Sequence, residues 1–221
     1  MAVSDETFET QNVESGADDR LVGLDWNDAR KLIAERPLAW VSSPAHFEGS
    51  LLPLIATYDA SGRPQELIGH FARRNALVPI VETDPRVNVL FTGPDSYISP
   101  RHAGRRDWGP TWNYAQLHIQ GELIVEDGLT EAALEMLIDK VEAGADSPWG
   151  AQELGRRYEV LLAHIVGFRI RVEKVSGRFK LGQDEDLKDL QNILANLPAP
   201  DLVRWMRDAN AERLETPGSQ Q

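Results

Sequence analysis

Two short clusters of cations stand out in a chain that is otherwise acidic. Arg73 and Arg74 sit just ahead of Asn75, and Arg101, His102, Arg105 and Arg106 crowd a loop that contains Gly104. Clusters of this size suit one phosphate or carboxylate, because a guanidinium and a few hydroxyls can satisfy a single anion. A nucleic-acid duplex needs many more cations along its length. The net charge of −12 therefore weighs against direct DNA binding, and no helix-turn-helix with a basic recognition helix is visible.

Other chemistries are excluded by residue type. Cysteine is absent, which removes disulfides and thiolate metal sites and fits a reducing compartment. The five histidines, at 46, 70, 102, 118 and 164, lack the spacing of metal ligands. There is no phosphate-binding Walker loop, dinucleotide glycine fingerprint, H-E-x-x-H pair or G-x-S-x-G elbow. No run approaches the roughly 18 apolar residues of a membrane span. Residues 1–20 carry Asp5, Glu6, Glu9, Glu14, Asp18 and Asp19 with no Lys or Arg before Arg20. That segment reads as an acidic disordered or loosely docked arm, not a secretory signal. The expectation is a soluble, cytoplasmic protein.

The elements that must position the cations are mostly strands. Asp25 reads as an N-cap, with Trp26, Ala29 and Ile33 at helical spacing as far as Pro37. Strands are expected over 38–41, over 51–58 with Pro53 forcing an edge or bulge, over 66–71 and over 87–91. Turns are expected at 60–64, at Gly93-Pro94-Asp95 and at Ser176-Gly177. Residues 112–126 alternate cleanly: Ala115, Leu117, Ile119, Leu123 and Val125 share one face, and Gly121 marks a bend or bulge. Residues 166–172 alternate likewise. Helices are expected over 75–82, over 130–143 with Thr130 as cap and Leu134, Leu137, Ile138 and Val141 inward, over 151–162, from Asp184 to Leu197, and around Trp205. Six or more antiparallel strands with helices between and after them predict a closed or nearly closed barrel in an α+β domain over 21–197, followed by a C-terminal helix and tail over 198–221.

Three segments resemble one family. Gly69-His70-Phe71-Ala72-Arg73-Arg74-Asn75 is similar to G-H-x-A-R-A-N-P. Gly93-Pro94-Asp95-Ser96-Tyr97-Ile98-Ser99-Pro100, then Pro110-Thr111-Trp112-Asn113-Tyr114 and Leu117-His118, are similar to G-P-x-A-Y-I-S-P, V-P-T-W-N-Y and A-V-H. Ile165-Val166-Gly167-Phe168 and Gly177-Arg178-Phe179-Lys180-Leu181-Gly182-Gln183 are similar to I-V-G-F and G-K-F-K-L-S-Q-N. These patterns, in this order, resemble the PaiB-type FMN-binding proteins, often described as negative transcriptional regulators. Ala76 stands where the family usually has Pro, and Gly182 where it has Ser.

The resemblance implies a split β-barrel of the pyridoxamine-phosphate-oxidase type, a homodimer with flavin sites at the subunit interface, and FMN as cofactor. It implies Arg73 and Asn75 for the phosphate, Ser99 and Thr111 as hydroxyl donors, Tyr97 and Trp112 beside the ring, and Lys180 and Gln183 approaching from a partner subunit. On residue type alone, His70 reads first as a hydrogen-bonded barrel residue, and Trp112 equally as a packing residue. A branch resembling the family, the piperazate synthases, uses haem to form an N–N bond, and there the residue matching His70 is the iron ligand. An FMN-dependent oxidoreductase on the same barrel is a third alternative.

Overall fold

The computed structural model describes residues 19–22 and 25–215. The acidic arm expected over 1–20 lies outside them except for its last two residues. Asp19 accepts hydrogen bonds from Arg63 Nε at 2.6 Å and from the Val175 N–H at 2.8 Å, and Arg20 opens a strand.

The alternating stretches form β1 (Arg20–Val22), β2 (Leu38–Ser42), β3 (Gly49–Tyr58), β4 (Pro64–Ala72), β5 (Arg86–Ile98), β6 (Thr111–Val125) and β7 (Ile165–Lys180). Their order is β1-β7-β4-β3-β2-β5-β6, and a further ladder between β7 and β6 closes the sheet on itself. Six antiparallel strands thus make a barrel without free long edges, and β1 adds in parallel beside the second half of β7. This is the α+β split barrel that the sequence predicts. Leu54, Leu67, Phe91, Leu117, Ile119, Leu123, Phe168 and Ile170 fill its interior, and the Phe71 and Phe168 rings meet at 4.7 Å. The irregularity expected at Gly121 is present in the ladder to β7.

Several local expectations change for identifiable reasons. Pro53 lies neither at an edge nor at a bulge. β2 pairs with β3 over Gly49–Pro53 and β4 pairs with it over Leu54–Tyr58, so Pro53 sits where the strand exchanges one neighbour for the other. Gly93-Pro94-Asp95 is not a turn, because β5 runs through it with a register shift between Thr92 and Asp95 that accommodates the proline. Ser176-Gly177 is not a turn either, since both residues keep partners in β6.

The helices are α1 (Trp26–Glu35), α2 (Leu77–Val81), α3 (Pro100–Ala103), α4 (Thr130–Glu142), α5 (Arg157–Leu162), α6 (Leu187–Asn196), α7 (Pro200–Ala209) and α8 (Ala211–Glu215). Asp25 caps α1 by accepting from the Asn27 and Asp28 N–H groups, and Trp26, Ala29, Leu32 and Ile33 are buried. Thr130 does not cap α4. Its hydroxyl accepts from the Gly167 N–H at 2.9 Å instead. Only Thr130 and Ala133 of α4 are buried, and Val141 is 59% exposed, because the helix touches the barrel at its start and then overhangs. The helix expected over 151–162 is broken at Gly155, and α5 buries none of its residues. α6 starts after Asp186 rather than at Asp184. α7 buries Leu202, Trp205 and Met206. No helix among the described residues is long and apolar enough to cross a membrane.

Candidate functional site

The residues singled out by sequence fall into two groups at opposite ends of β7. One group lies where β4 ends and β7 begins, at the pair Ala72 and Ile165. The other lies where β6 begins and β7 ends, at the pair Tyr114 and Lys180. Sixteen residues of β7 run between them.

In the first group, strand alternation sends Leu67, Gly69 and Phe71 inward and His70 outward. The His70 ring is half-buried, and its Nδ1 is buried with no hydrogen-bond partner. Burial pushes its pKa below the ordinary imidazole value, so the neutral ring is favoured. Arg73 is already engaged: Nε donates to the Ala163 carbonyl at 3.1 Å, and the guanidinium pairs with Asp127. Asn75 accepts from the Leu77 N–H at 3.0 Å and donates to the Ser50 hydroxyl at 3.0 Å. It therefore fixes the entry to α2 and ties it to β3. Arg74 is exposed beside them.

The second group is held together within one chain. Tyr97 and Trp112 face each other across β5 and β6, with ring centroids 6.1 Å apart and planes tilted by 58°. They remain 44% and 55% exposed, which is unusual for two large aromatic rings side by side. The Lys180 ammonium donates to the Thr111 hydroxyl. Ser99 caps α3, accepting from the Arg101 N–H at 3.3 Å. Gln183 folds onto its own turn, accepting from the Leu181 N–H at 2.7 Å and donating to the Phe179 carbonyl at 3.0 Å. That turn needs Gly182, whose φ is +82°, a region where a serine would be strained. Arg213 secures it by donating to the Gly182 and Gln183 carbonyls. The basic loop is committed in part to structure as well. Arg105 bridges Asp107 at 3.1 Å and the buried Asp189 at 2.9 Å.

Sequence reasoning missed the face between the two groups. Trp40 on β2 pairs with Leu51 on β3 and Leu90 on β5, and Leu90 pairs with His118 on β6. Leu38, Trp40 and Leu51 are 53%, 45% and 59% exposed. At the end of this row, His118 Nε2 lies 3.2 Å from Asn88 Oδ1. Phe47 in the β2–β3 turn is fully exposed. The available signal was that Leu38-Ala39-Trp40-Val41 and Leu51-Leu52 are apolar on both strand faces. That pattern implies cover on both sides, and the described residues cover only one.

An apolar sheet face flanked by exposed aromatic rings, with amide, hydroxyl and cationic groups at its ends, fits a flat ligand carrying an anionic tail. Haem ligation fits less well. A proximal histidine usually donates its second nitrogen to an acceptor, and His70 Nδ1 has none among the described residues.

Comparison with known proteins gives the family. Residues 22–174 match the family described as "Putative FMN-binding domain". Protease synthase and sporulation protein PAI 2 of Bacillus subtilis is 34% identical over 134 residues, covering 59% of this chain and 64% of that protein. The chain thus spans less than two thirds of that relative. An Emericella nidulans protein, AN0679, is 25% identical over 209 residues, covering 75% of this chain and 83% of its own length. Among solved structures, the FAD and haem binding protein from Mycobacterium smegmatis is similar with a TM-score of 0.53 at 17% identity, covering 78% of both chains. At that identity the likeness concerns the fold.

Proposed function

Because the chain belongs to the PaiB-type family of FMN-binding domains, whose pattern its residues 22–174 match, we propose that it is a homodimeric FMN-binding protein acting as a regulator or sensor. The observation that carries this reading is the exposed apolar face of Leu38, Trp40 and Leu51 with the open Tyr97–Trp112 pair. Exposed apolar surface of this kind on a soluble barrel marks a binding or association face. The two groups of site residues lie at opposite ends of β7, so a single chain does not bring them together. A second copy placed on the same face can present its Tyr97, Ser99, Thr111, Trp112, Lys180 and Gln183 to the first copy's Ser50, Arg74 and Asn75. FMN bound there would supply reversible redox chemistry. The protein's part is to seat the ring on apolar surface, to hold the phosphate with amide, hydroxyl and guanidinium donors, and to exclude water.

The regulatory part of the proposal rests on the family relationship. A net charge of −12 makes a direct grip on DNA unfavourable, so the reading is a ligand-responsive partner rather than a repressor by itself. The test is an absorbance spectrum of the purified protein with and without added FMN, beside light scattering on wild type and Trp40→Asp. Flavin bands released on denaturation, together with a dimer that Trp40→Asp splits, are expected. A monomer that binds FMN unchanged in Trp40→Asp would refute the shared site.

A second reading is haem binding, favoured by the neutral, half-buried His70 and by the haem-binding character of the Mycobacterium smegmatis protein. It expects a Soret band after addition of haemin that His70→Ala abolishes. A Soret band unaltered by that substitution would remove it.

A further inference from the structure

The departure of β2 from β3 at Pro53 leaves a stretch of strand open. The Leu54 N–H donates to the Pro37 carbonyl at 2.9 Å, and the β2 ladder ends there. Amides two residues apart on a strand face the same side. The Ala56 N–H therefore points the way the Leu54 N–H does, where no strand among the described residues continues to receive it. α1 passes along this side, and between them lies a cleft of about 570 Å³, within the roughly 300–1,000 Å³ of small-molecule sites.

The lining is unusual for so acidic a chain. Arg30, Lys31 and Lys140 face the cleft, Ile33, Ile55 and Tyr58 form much of its apolar wall, and no carboxylate lines it among the described residues. Lys31 is committed to Asp208. Arg30 and Lys140 enter no ion pair among the described residues. Arg30 is nevertheless held in place: its guanidinium carbon lies 4.8 Å over the Tyr58 ring. Gly62, at φ +88°, lies beside it, where an added Cβ would make ordinary van der Waals contact with Arg30 Cδ at 3.4 Å. A guanidinium fixed by stacking rather than by a carboxylate keeps its donors free for an incoming anion.

We propose that this cleft is a second binding site, distinct from the flavin face, that takes a small organic carboxylate with a flat apolar body. The carboxylate meets Arg30, the Ala56 amide and Lys140. The body lies against Ile33, Ile55 and the Tyr58 ring. Such an acid would be a candidate signal for a ligand-responsive protein.

The probe is benzoate, titrated by calorimetry into the full-length protein, with benzamide as its uncharged analogue and inorganic phosphate as its bodiless one. Benzoate is expected to bind, with benzamide weaker by about tenfold or more, the loss that accompanies removal of a charged hydrogen-bonding partner, and with phosphate weaker by about tenfold or more for want of the apolar body whose burial favours binding. Arg30→Gln is expected to weaken benzoate by a similar factor, Lys140→Gln by a smaller one, and Arg86→Gln, whose partner is Asp84, not at all. Circular dichroism on each variant separates lost folding from lost binding. Saturating FMN should leave benzoate affinity unchanged. Absence of benzoate binding, equal binding of benzamide or phosphate, an unaffected Arg30→Gln and Lys140→Gln pair, or displacement of benzoate by FMN would each overturn the proposal. The first three outcomes leave the flavin reading untouched.

Discussion

Replacing His70 with leucine isolates a buried nitrogen that has nothing to bond. His70 Nδ1 is buried without a partner, and an unsatisfied buried polar group costs about 1–3 kcal/mol. Leucine removes that cost and adds apolar contact, so His70→Leu should be more stable than wild type by about 1 kcal/mol or more at pH 7.5. The pH dependence gives a second handle. Burial lowers the folded-state pKa of His70 below its unfolded value. Above the unfolded pKa of about 6.5 both states are neutral and the group has no effect on stability. As pH falls through about 6.5 toward the lower folded value, the unfolded chain takes up the proton first. Stability is then lost by up to about 1.4 kcal/mol per pH unit. His118, also depressed by burial, contributes with the same sign, so the variant should keep a shallower slope rather than a flat one. Urea unfolding of ligand-free wild type and His70→Leu at pH 7.5, 6.5 and 5.5, about one unit apart on either side of the unfolded pKa, measures both effects. A variant less stable than wild type at pH 7.5 with an unaltered slope would refute the reasoning, since it would mean that the imidazole has a partner and titrates normally.

Three further substitutions probe the scaffold. Phe168→Ala, at a fully buried position packed against the tilted Phe71 ring, should cost about 3–5 kcal/mol in denaturant unfolding. Thr130→Val leaves the Gly167 N–H without its acceptor and should cost about 1–3 kcal/mol, whereas a change under a few tenths would show that a water replaces the hydroxyl. Gly182→Ser, which restores the residue usual in the family, forces a side chain into φ +82° with Leu190 and Met206 methyls 3.1 and 3.2 Å from its Cβ. It should lower stability by about 1–2 kcal/mol, read as a fall in thermal midpoint.

The barrel was legible because its signal is repeated. Residues 112–126 and 166–172 alternate long enough to fix which face is buried, and the burial pattern of β6 follows that alternation almost residue by residue. The elements that were misread are those where one neighbour overrides local preference. Gly93-Pro94 has turn chemistry, yet the pairing of β5 with β6 on both sides of it keeps the strand going. Thr130 has capping chemistry, yet the close approach of Gly167 draws its hydroxyl across to β7. The motif residues were found, but sequence gives no sign that Arg73 and Arg105 are already neutralised by Asp127 and by Asp107 and Asp189. Those partners lie far along the chain or across a turn, and only the fold brings them together. Asn113 is the remaining surprise. It sits inside the barrel with its Oδ1 unpartnered and its amide 3.7 Å from Met206 Sδ.

The position of β7 in the chain has a kinetic consequence. It closes the barrel by pairing with β4, about a hundred positions earlier, and with β6 across the α4–α5 excursion. Loop-closure entropy must be met before such distant pairings repay it. The five mutually paired strands β2–β6 therefore emerge during synthesis with two open edges, and neither edge is satisfied until the chain from residue 165 onward is available. A slow, all-or-none closing step is the expected signature, and a chain stalled before β7 presents an open sheet of the kind that pairs with its neighbours.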